Sequence, residues 1–274
     1  MMNCQDLKRM ANQLRYDTLQ AFHTVGSGHP GGCLSLAEII TVLYFDKLRL
    51  DPQNPKWVDR DRFLLSKGHG APILFAALAH RGYFDISNLN RLRQHDGMLQ
   101  GTPNPGIPGC DTVAGSLGQN LSIAIGTAYA GRLDGKDYQT YCVMGDGEID
   151  EGQVWEAMML APVLKLGNLF AILDHNHVQS SGTNDEVLSL GNIRAKAEAF
   201  GWNVIELDGH DVCALKACFD GIAREPVGTP TFIIADTVKG KGISYMEGKA
   251  SWHVGGLNDE QWAQAQKELK EAGL

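Results

Sequence analysis

The sequence lacks what would place it in several large classes. No run approaches the ~18 consecutive apolar residues of a membrane-crossing helix. The first twenty residues, MMNCQDLKRMANQLRYDTLQ, hold no apolar stretch of signal-peptide length. No block of Lys and Arg offsets a formal net charge of −8, which argues against general nucleic-acid binding. The six cysteines form no Cys-x-x-Cys pair and no zinc-like group with histidine. They read as scattered thiols of a reducing compartment, so a cytoplasmic protein is expected. No Gly-x-Gly-x-x-Gly opens a helix after an early strand, which counts against a nicotinamide-binding Rossmann enzyme. Internal repeats and low-complexity tracts are missing too.

What is present is ordinary globular composition: 274 residues, 43% hydrophobic and 20% charged, enough for one α/β domain over 1–274. Residues 5–23 carry apolar side chains at helical spacing (Leu7, Met10, Ala11, Leu14, Leu19, Phe22). GSGHPGG (26–32) interrupts them, and a second helix is expected from Ser35, as N-cap, through Tyr44. RFLLSKGHGAPILFAALAHRG reads as a short strand, a Gly-His-Gly loop and a helix ending at Gly82. Residues 95–116 are rich in Gly and Pro and predict a long loop. From Thr140 four apolar runs, TYCVMGD, NLFAILDHN, WNVIELDG and PTFIIADT, alternate with helix-length segments. Such alternation predicts a mainly parallel sheet covered on both faces, a three-layer α/β/α fold. The last helix is expected to be capped by Asn258 or Asp259.

In such sheets ligands sit beyond the carboxyl ends of the strands. Two successive strands end in oxygen-bearing side chains: Asp146, inside Gly145-Asp146-Gly147, and Asp174 with Asn176. Asp and Asn together are hard oxygen donors, suited to magnesium or calcium rather than zinc or copper. A divalent ion bridging these strand ends to a diphosphate is one reading. Helix capping by Asp146 and a left-handed turn at Asn176 is the other.

Gly-Asp-Gly, then 28 residues, then Asn176 resembles the cofactor motif of thiamine-diphosphate enzymes. GSGHPGG (26–32), SKGHGAP (66–72), GSLGQN (115–120) and KGKG (239–242) resemble transketolases in particular, in order and along nearly the whole chain. The resemblance implies a thiamine-diphosphate-binding domain. Its metal, magnesium or calcium, would be held by Asp146, Asn176 and the Val178 carbonyl. It implies cofactor contacts from His69, Gly115, Ser116, Leu117, Gly147, Glu148 and Lys241, with His29, His69 and His253 acting on the sugar. Glu151 would belong to a carboxylate network at a subunit interface, linking two active sites. His23, His80, His95, His175, His177 and His210 are read as surface or core histidines, and Trp252 as packing.

The pattern breaks in two places. Transketolases usually carry Gly-His-Pro where this chain has Gly101-Thr102-Pro103, so the usual sugar donor, or the way it is held, is in question. A whole transketolase is also more than twice this long, and nothing in 179–274 resembles its pyrimidine-binding domain. The expectation is therefore one subunit of a split transketolase. It would act on sugar phosphates with a C-terminal partner that carries the pyrimidine-binding domain, as an α2β2 assembly. The alpha chain of a 2-oxo-acid dehydrogenase is the nearest rival, opposed by SGHPGG and SKGHG. A deoxyxylulose-phosphate-synthase-like activity is less fitting, those enzymes normally being one chain. A non-catalytic regulatory homologue is opposed by Asp146, Asn176, His29 and His69 standing together.

Overall fold

The computed structural model describes residues 2–274. Five parallel strands form the central sheet: β1 (Arg62–Leu65), β2 (Thr140–Gly145), β3 (Leu169–His175), β4 (Asn203–Asp208) and β5 (Thr231–Asp236), in the order β1-β2-β3-β5-β4. The three central strands are buried almost throughout, which is why they read as continuous apolar runs, while no residue of the edge strand β4 is fully buried.

Alternate side chains feed two cores. Phe63, Tyr141, Val143, Phe170, Ile172 and Ile233 pack towards α1 (Cys4–Val25), α2 (Pro30–Leu34), α3 (Ala37–Val42) and α4 (Ala71–His80). Leu64, Cys142, Met144, Ala171, Leu173 and Phe232 face α5 (Gln119–Leu133) and α6 (Gly152–Val163). A short α7 (Asn184–Val187) and α8 (Ile193–Ala199) follow β3; α9 (Val212–Gly221) precedes β5, and α10 (Asp259–Glu271) ends the chain. This is the expected three-layer α/β/α fold. Asn258 caps α10, and Gln261 returns a hydrogen bond to complete a capping box.

Two local expectations fail. Ser35 caps no helix N-terminus: helix begins earlier, at Pro30, and the segment divides into α2, α3 and a wider turn at Leu43–Lys47. The Ser35 hydroxyl is engaged elsewhere, donating to the buried Asp174 carboxylate at 2.6 Å. Nor are all six cysteines free. Cys4 and Cys213, 209 residues apart, are disulfide-bonded where α1 and α9 begin, while Cys33, Cys110, Cys142 and Cys218 are thiols. Sequence spacing holds no sign of so distant a pair.

Candidate active site

The sheet order does the first work. β1, β2, β3 and β5 are neighbours, so the loops after them converge on one end of the sheet. β1 runs into Ser66, Lys67 and His69; β2 into Asp146; β3 into Asn176 and Val178; β5 into Lys239. A pocket there is lined by Lys67, His69, Asp146, Asn176, Val178 and Lys239. Leu117, Gly147, Glu148, Gln179 and His253 are also among its walls.

Asp146 is 2% exposed, and its two oxygens differ. Oδ1 lies 2.5 Å from His175 Nδ1, while Oδ2 is buried with no hydrogen-bond partner. Burial alone would lower the pKa of His175; the Asp146 carboxylate outweighs it and raises it. A buried carboxylate oxygen left unpaired calls for a cation or a donor. Asn176 and Val178 line the same pocket and offer two more hard oxygens. Asn176 Oδ1 accepts the Val178 N–H at 3.2 Å, and the Val178 carbonyl accepts from Lys239 at 3.2 Å. The residues present therefore fit a divalent cation of the magnesium or calcium kind.

The pocket also holds two lysines. Lys67, almost wholly buried, is ion-paired with the fully buried Asp174, which also accepts from Ser35 Oγ and, at 2.5 Å, from Thr237 Oγ1. Lys67 and the two hydroxyls hold the Asp174 pKa below the usual carboxylate range against the burial that would raise it. Asn176 Nδ2 lies 3.4 Å from the same carboxylate, so Asp174 also orients that side chain. The Lys239 ammonium donates to the Val178 and Gln179 carbonyls at 3.2 and 2.6 Å. Burial, with Lys67 nearby, pushes its pKa down to about 8. Two lysines drawn into one pocket favour a polyanionic ligand.

His29, His69 and His253 meet at the rim, with ring centroids 5.2–5.5 Å apart. Burial lowers all three pKa values, assisted at His29 by Arg93 and at His69 by Lys67; His253, repelled by Lys239, falls to about 4. At neutral pH they are uncharged imidazoles, able to donate at one nitrogen and accept at the other.

Two loops close the site. Gly118, at φ +79, turns the chain into α5, and its N–H donates to Glu148 Oε1 at 2.9 Å. Glu148 Oε2 takes the Gly145 N–H at 3.2 Å, and Ser66 Oγ also donates to this carboxylate. Glu148 thus ties three pocket loops together, and burial raises its pKa.

A sequence model of the family described as "Transketolase, thiamine diphosphate binding domain" matches residues 7–271. The chain belongs to the transketolase family. It is 42% identical over 269 residues to SqwG of Clostridium sp. (strain MSTE9), a 6-deoxy-6-sulfo-D-fructose transketolase subunit, covering 98% of each chain. It is 39% identical to one subunit of the apulose-4-phosphate transketolase of Phocaeicola vulgatus, over 98% of this chain and 96% of that one. Human transketolase is 45% identical over 91% of this chain, which spans only 40% of the human one. The crystal structure of Campylobacter jejuni transketolase superposes with a TM-score of 0.90 at 32% identity, over 98% of this chain and 43% of that chain. This chain thus carries the thiamine-diphosphate-binding domain of a transferase family.

The transketolase fold brings most of the expected residues together: His29, His69 and His253 at the rim, and Leu117, Asp146, Gly147, Glu148, Asn176 and Val178 in the pocket. Gly115 has open space where a side chain would stand, and Ser116 beside it is exposed. Glu151 lies outside the pocket, exposed at the start of α6. Lys241 does not reach the pocket either; its ammonium sits 3.7 Å from Glu247 Oε1. Of the two lysines in KGKG it is the first, Lys239, that points inward. Sequence reasoning does not single out Lys67, Lys239 or His175 as site residues. Yet each lies at or just beyond a strand's carboxyl end, where the rule that locates Asp146 would find them as well.

Proposed function

We propose that this chain is the diphosphate-binding subunit of a two-chain transketolase, moving a two-carbon ketol unit from a ketose to an aldose only when joined to a partner that carries the pyrimidine-binding domain. The carrying observation is the unpaired, buried Asp146 Oδ2 in a pocket that Lys67 and Lys239 also line. A cation site faced by ammonium groups suits a metal-bound diphosphate and suits neither a bare cation nor a neutral ligand. The whole-chain likeness to two proteins named as transketolase subunits supports the partner. So do the exposed apolar side chains of Ile123, Met159, Leu160 and Val163 on α5 and α6.

In this reading Asp146, Asn176 and the Val178 carbonyl hold magnesium or calcium. Lys239 then gives up the Val178 oxygen it touches here and turns to the diphosphate, beside His69. Gly115, Ser116 and Leu117 approach the cofactor, and Glu148 fixes the loop that carries them. When bound, thiamine diphosphate supplies the carbon nucleophile and electron sink needed to break the ketose C2–C3 bond. The chain's own share is proton handling and positioning. His29 and His253, neutral at the rim, accept and return protons of sugar hydroxyls. Glu151, exposed on α6, lies at an interface between subunits, and α2β2 is the assembly. The reading keeps the site in the cytoplasm, though the Cys4–Cys213 disulfide is a bond that a reducing compartment disfavours; separately, among the described residues no helix is long and apolar enough to cross a membrane. Thr102 sits half-buried in a bend of the glycine-rich loop, where it offers a short hydroxyl and no positive charge to the donor sugar.

The test is an assay of the two-chain complex with a panel of donors, including ketose phosphates and a 6-deoxy-6-sulfo-ketose, each paired with an aldehyde acceptor. Ketol transfer that needs both chains and thiamine diphosphate supports the proposal. Decarboxylation of a 2-oxo acid with no ketol transfer contradicts it.

A further inference from the structure

The loop that delivers Lys239 has an unusual support. His210 follows the end of β4, and its ring bridges two elements distant in sequence. Its Nε2 accepts the Val238 backbone N–H at 2.8 Å, and its Nδ1 lies 2.9 Å from Glu38 Oε2. A backbone amide can only donate, so Nε2 carries no proton and the ring is the Nδ1–H tautomer, donating to Glu38. Glu38 is itself buried in α3 and forked to Arg15 of α1, with contacts of 2.7 and 2.6 Å. Burial alone would raise its pKa; Arg15, and after it His210, bring it down to about 2, so the carboxylate is ionised. Arg15 also donates to the Leu34 carbonyl at 3.1 Å, next to Ser35, which holds Asp174. Asp208 Oδ1 accepts the His210 backbone N–H at 2.8 Å and fixes the base of the ring.

The loop after β5 takes these supports in order. Thr237 is tied to Asp174, Val238 to His210, and Gly240 to the Gly31 carbonyl at 2.9 Å. Between the last two stands Lys239, whose long side chain reaches the pocket. We infer that His210 is a positioning residue of the cofactor site: it anchors the 237–240 loop to the buried Arg15–Glu38 pair, and so keeps the Lys239 side chain directed into the pocket. His210 itself is outside the pocket lining and is none of the proposed metal ligands. The inference rests on the proposed function only in taking Lys239 as a contact for the cofactor.

Two variants and two readouts test it. His210→Phe keeps the ring's bulk but has neither polar nitrogen. His210→Gln places an amide oxygen that can accept from Val238. Hydrogen–deuterium exchange on the chain follows the 237–240 amides without any cofactor. Calorimetry on the two-chain complex measures magnesium-dependent thiamine diphosphate affinity. With melting temperature recorded for each variant, His210→Phe is expected to speed exchange at 237–240 roughly fivefold or more, while the strands keep their protection. Thiamine diphosphate affinity should fall about five- to tenfold, and His210→Gln should recover most of both losses. Exchange unchanged at 237–240 overturns the anchor. A lower melting temperature with exchange raised evenly over the whole chain, or with affinity unchanged, overturns the positioning role and leaves an ordinary structural histidine. If the wild-type complex binds no thiamine diphosphate, the proposed function fails, and the exchange data alone decide whether His210 holds the loop.

Discussion

The His175 imidazole takes one oxygen of Asp146 and leaves the other free: Nδ1 lies 2.5 Å from Oδ1, while Oδ2 is buried without a partner. The two residues stand at the ends of adjacent parallel strands, where Gly145 is in register with Asp174. The pairing sets the direction in which Oδ2 faces the pocket. In the proposed function that arrangement would orient Asp146 as a metal ligand, with one oxygen held by the protein and one left for the cation. His175→Ala should weaken magnesium-dependent thiamine diphosphate binding by about 10- to 100-fold without abolishing it. Titration of the two-chain complex measures this, and unchanged affinity would contradict the orienting role.

The Lys67–Asp174 pair is the floor of the site, and both side chains are almost fully buried. Removing one partner strands the other charge away from water. Asp174→Ala should therefore destabilise the chain by about 3–5 kcal/mol, read from the urea midpoint at constant slope. Asp174→Asn keeps hydrogen-bonding capacity and should cost less. A loss below about 1 kcal/mol for the alanine variant would show that Lys67 finds other partners.

Gly68 admits no side chain. A Cβ there would stand 1.9 Å from the Ala114 carbonyl oxygen, a backbone atom with nowhere to go. Gly68→Ala should push the 66–70 turn away from the loop that leads to Gly115 and cost about 1–3 kcal/mol. Cofactor affinity should fall with it, because both loops line the site. Thermal unfolding and the same titration would show the two effects together; an unaltered melting temperature would refute the close approach.

Three depressed histidines give a pH signature. In the unfolded chain they take up protons near 6.5, while His253 in the fold waits until about 4 because burial and Lys239 disfavour its charged form. Below 6.5 the unfolded chain thus binds more protons, so their contribution is fully present above that pH and is lost as pH falls, for His253 down to about 4. His253→Gln should flatten the acid limb of stability against pH over this window. Denaturant midpoints at pH 7 and pH 5 measure it, and an unchanged or steeper limb in the variant would contradict the assignment.

The sheet is legible in the sequence because its central strands are covered on both faces and leave continuous apolar runs that need no partner to be seen. Asp146 and Asn176 are legible by the rule that ligands gather at strand ends. Lys67 and Lys239 obey the same rule yet escape notice, since a lysine beside glycine reads as a solvated loop residue until the fold buries it. Lys241 illustrates the converse: sequence alone does not tell which of two lysines separated by a glycine turns inward. The roles of His210 and Ser35 leave no trace in spacing. Their partners Val238, Glu38 and Asp174 lie 28, 172 and 139 residues away, and only folding brings them within reach.

The most direct test of the account is calorimetric titration of thiamine diphosphate with magnesium, first into the chain alone and then into the chain mixed with its partner. The account predicts binding that is tight only in the mixture and is abolished by Asp146→Ala in a variant that stays folded. Equal binding by the Asp146→Ala variant, or no binding in the mixture by the wild-type chain, would contradict it.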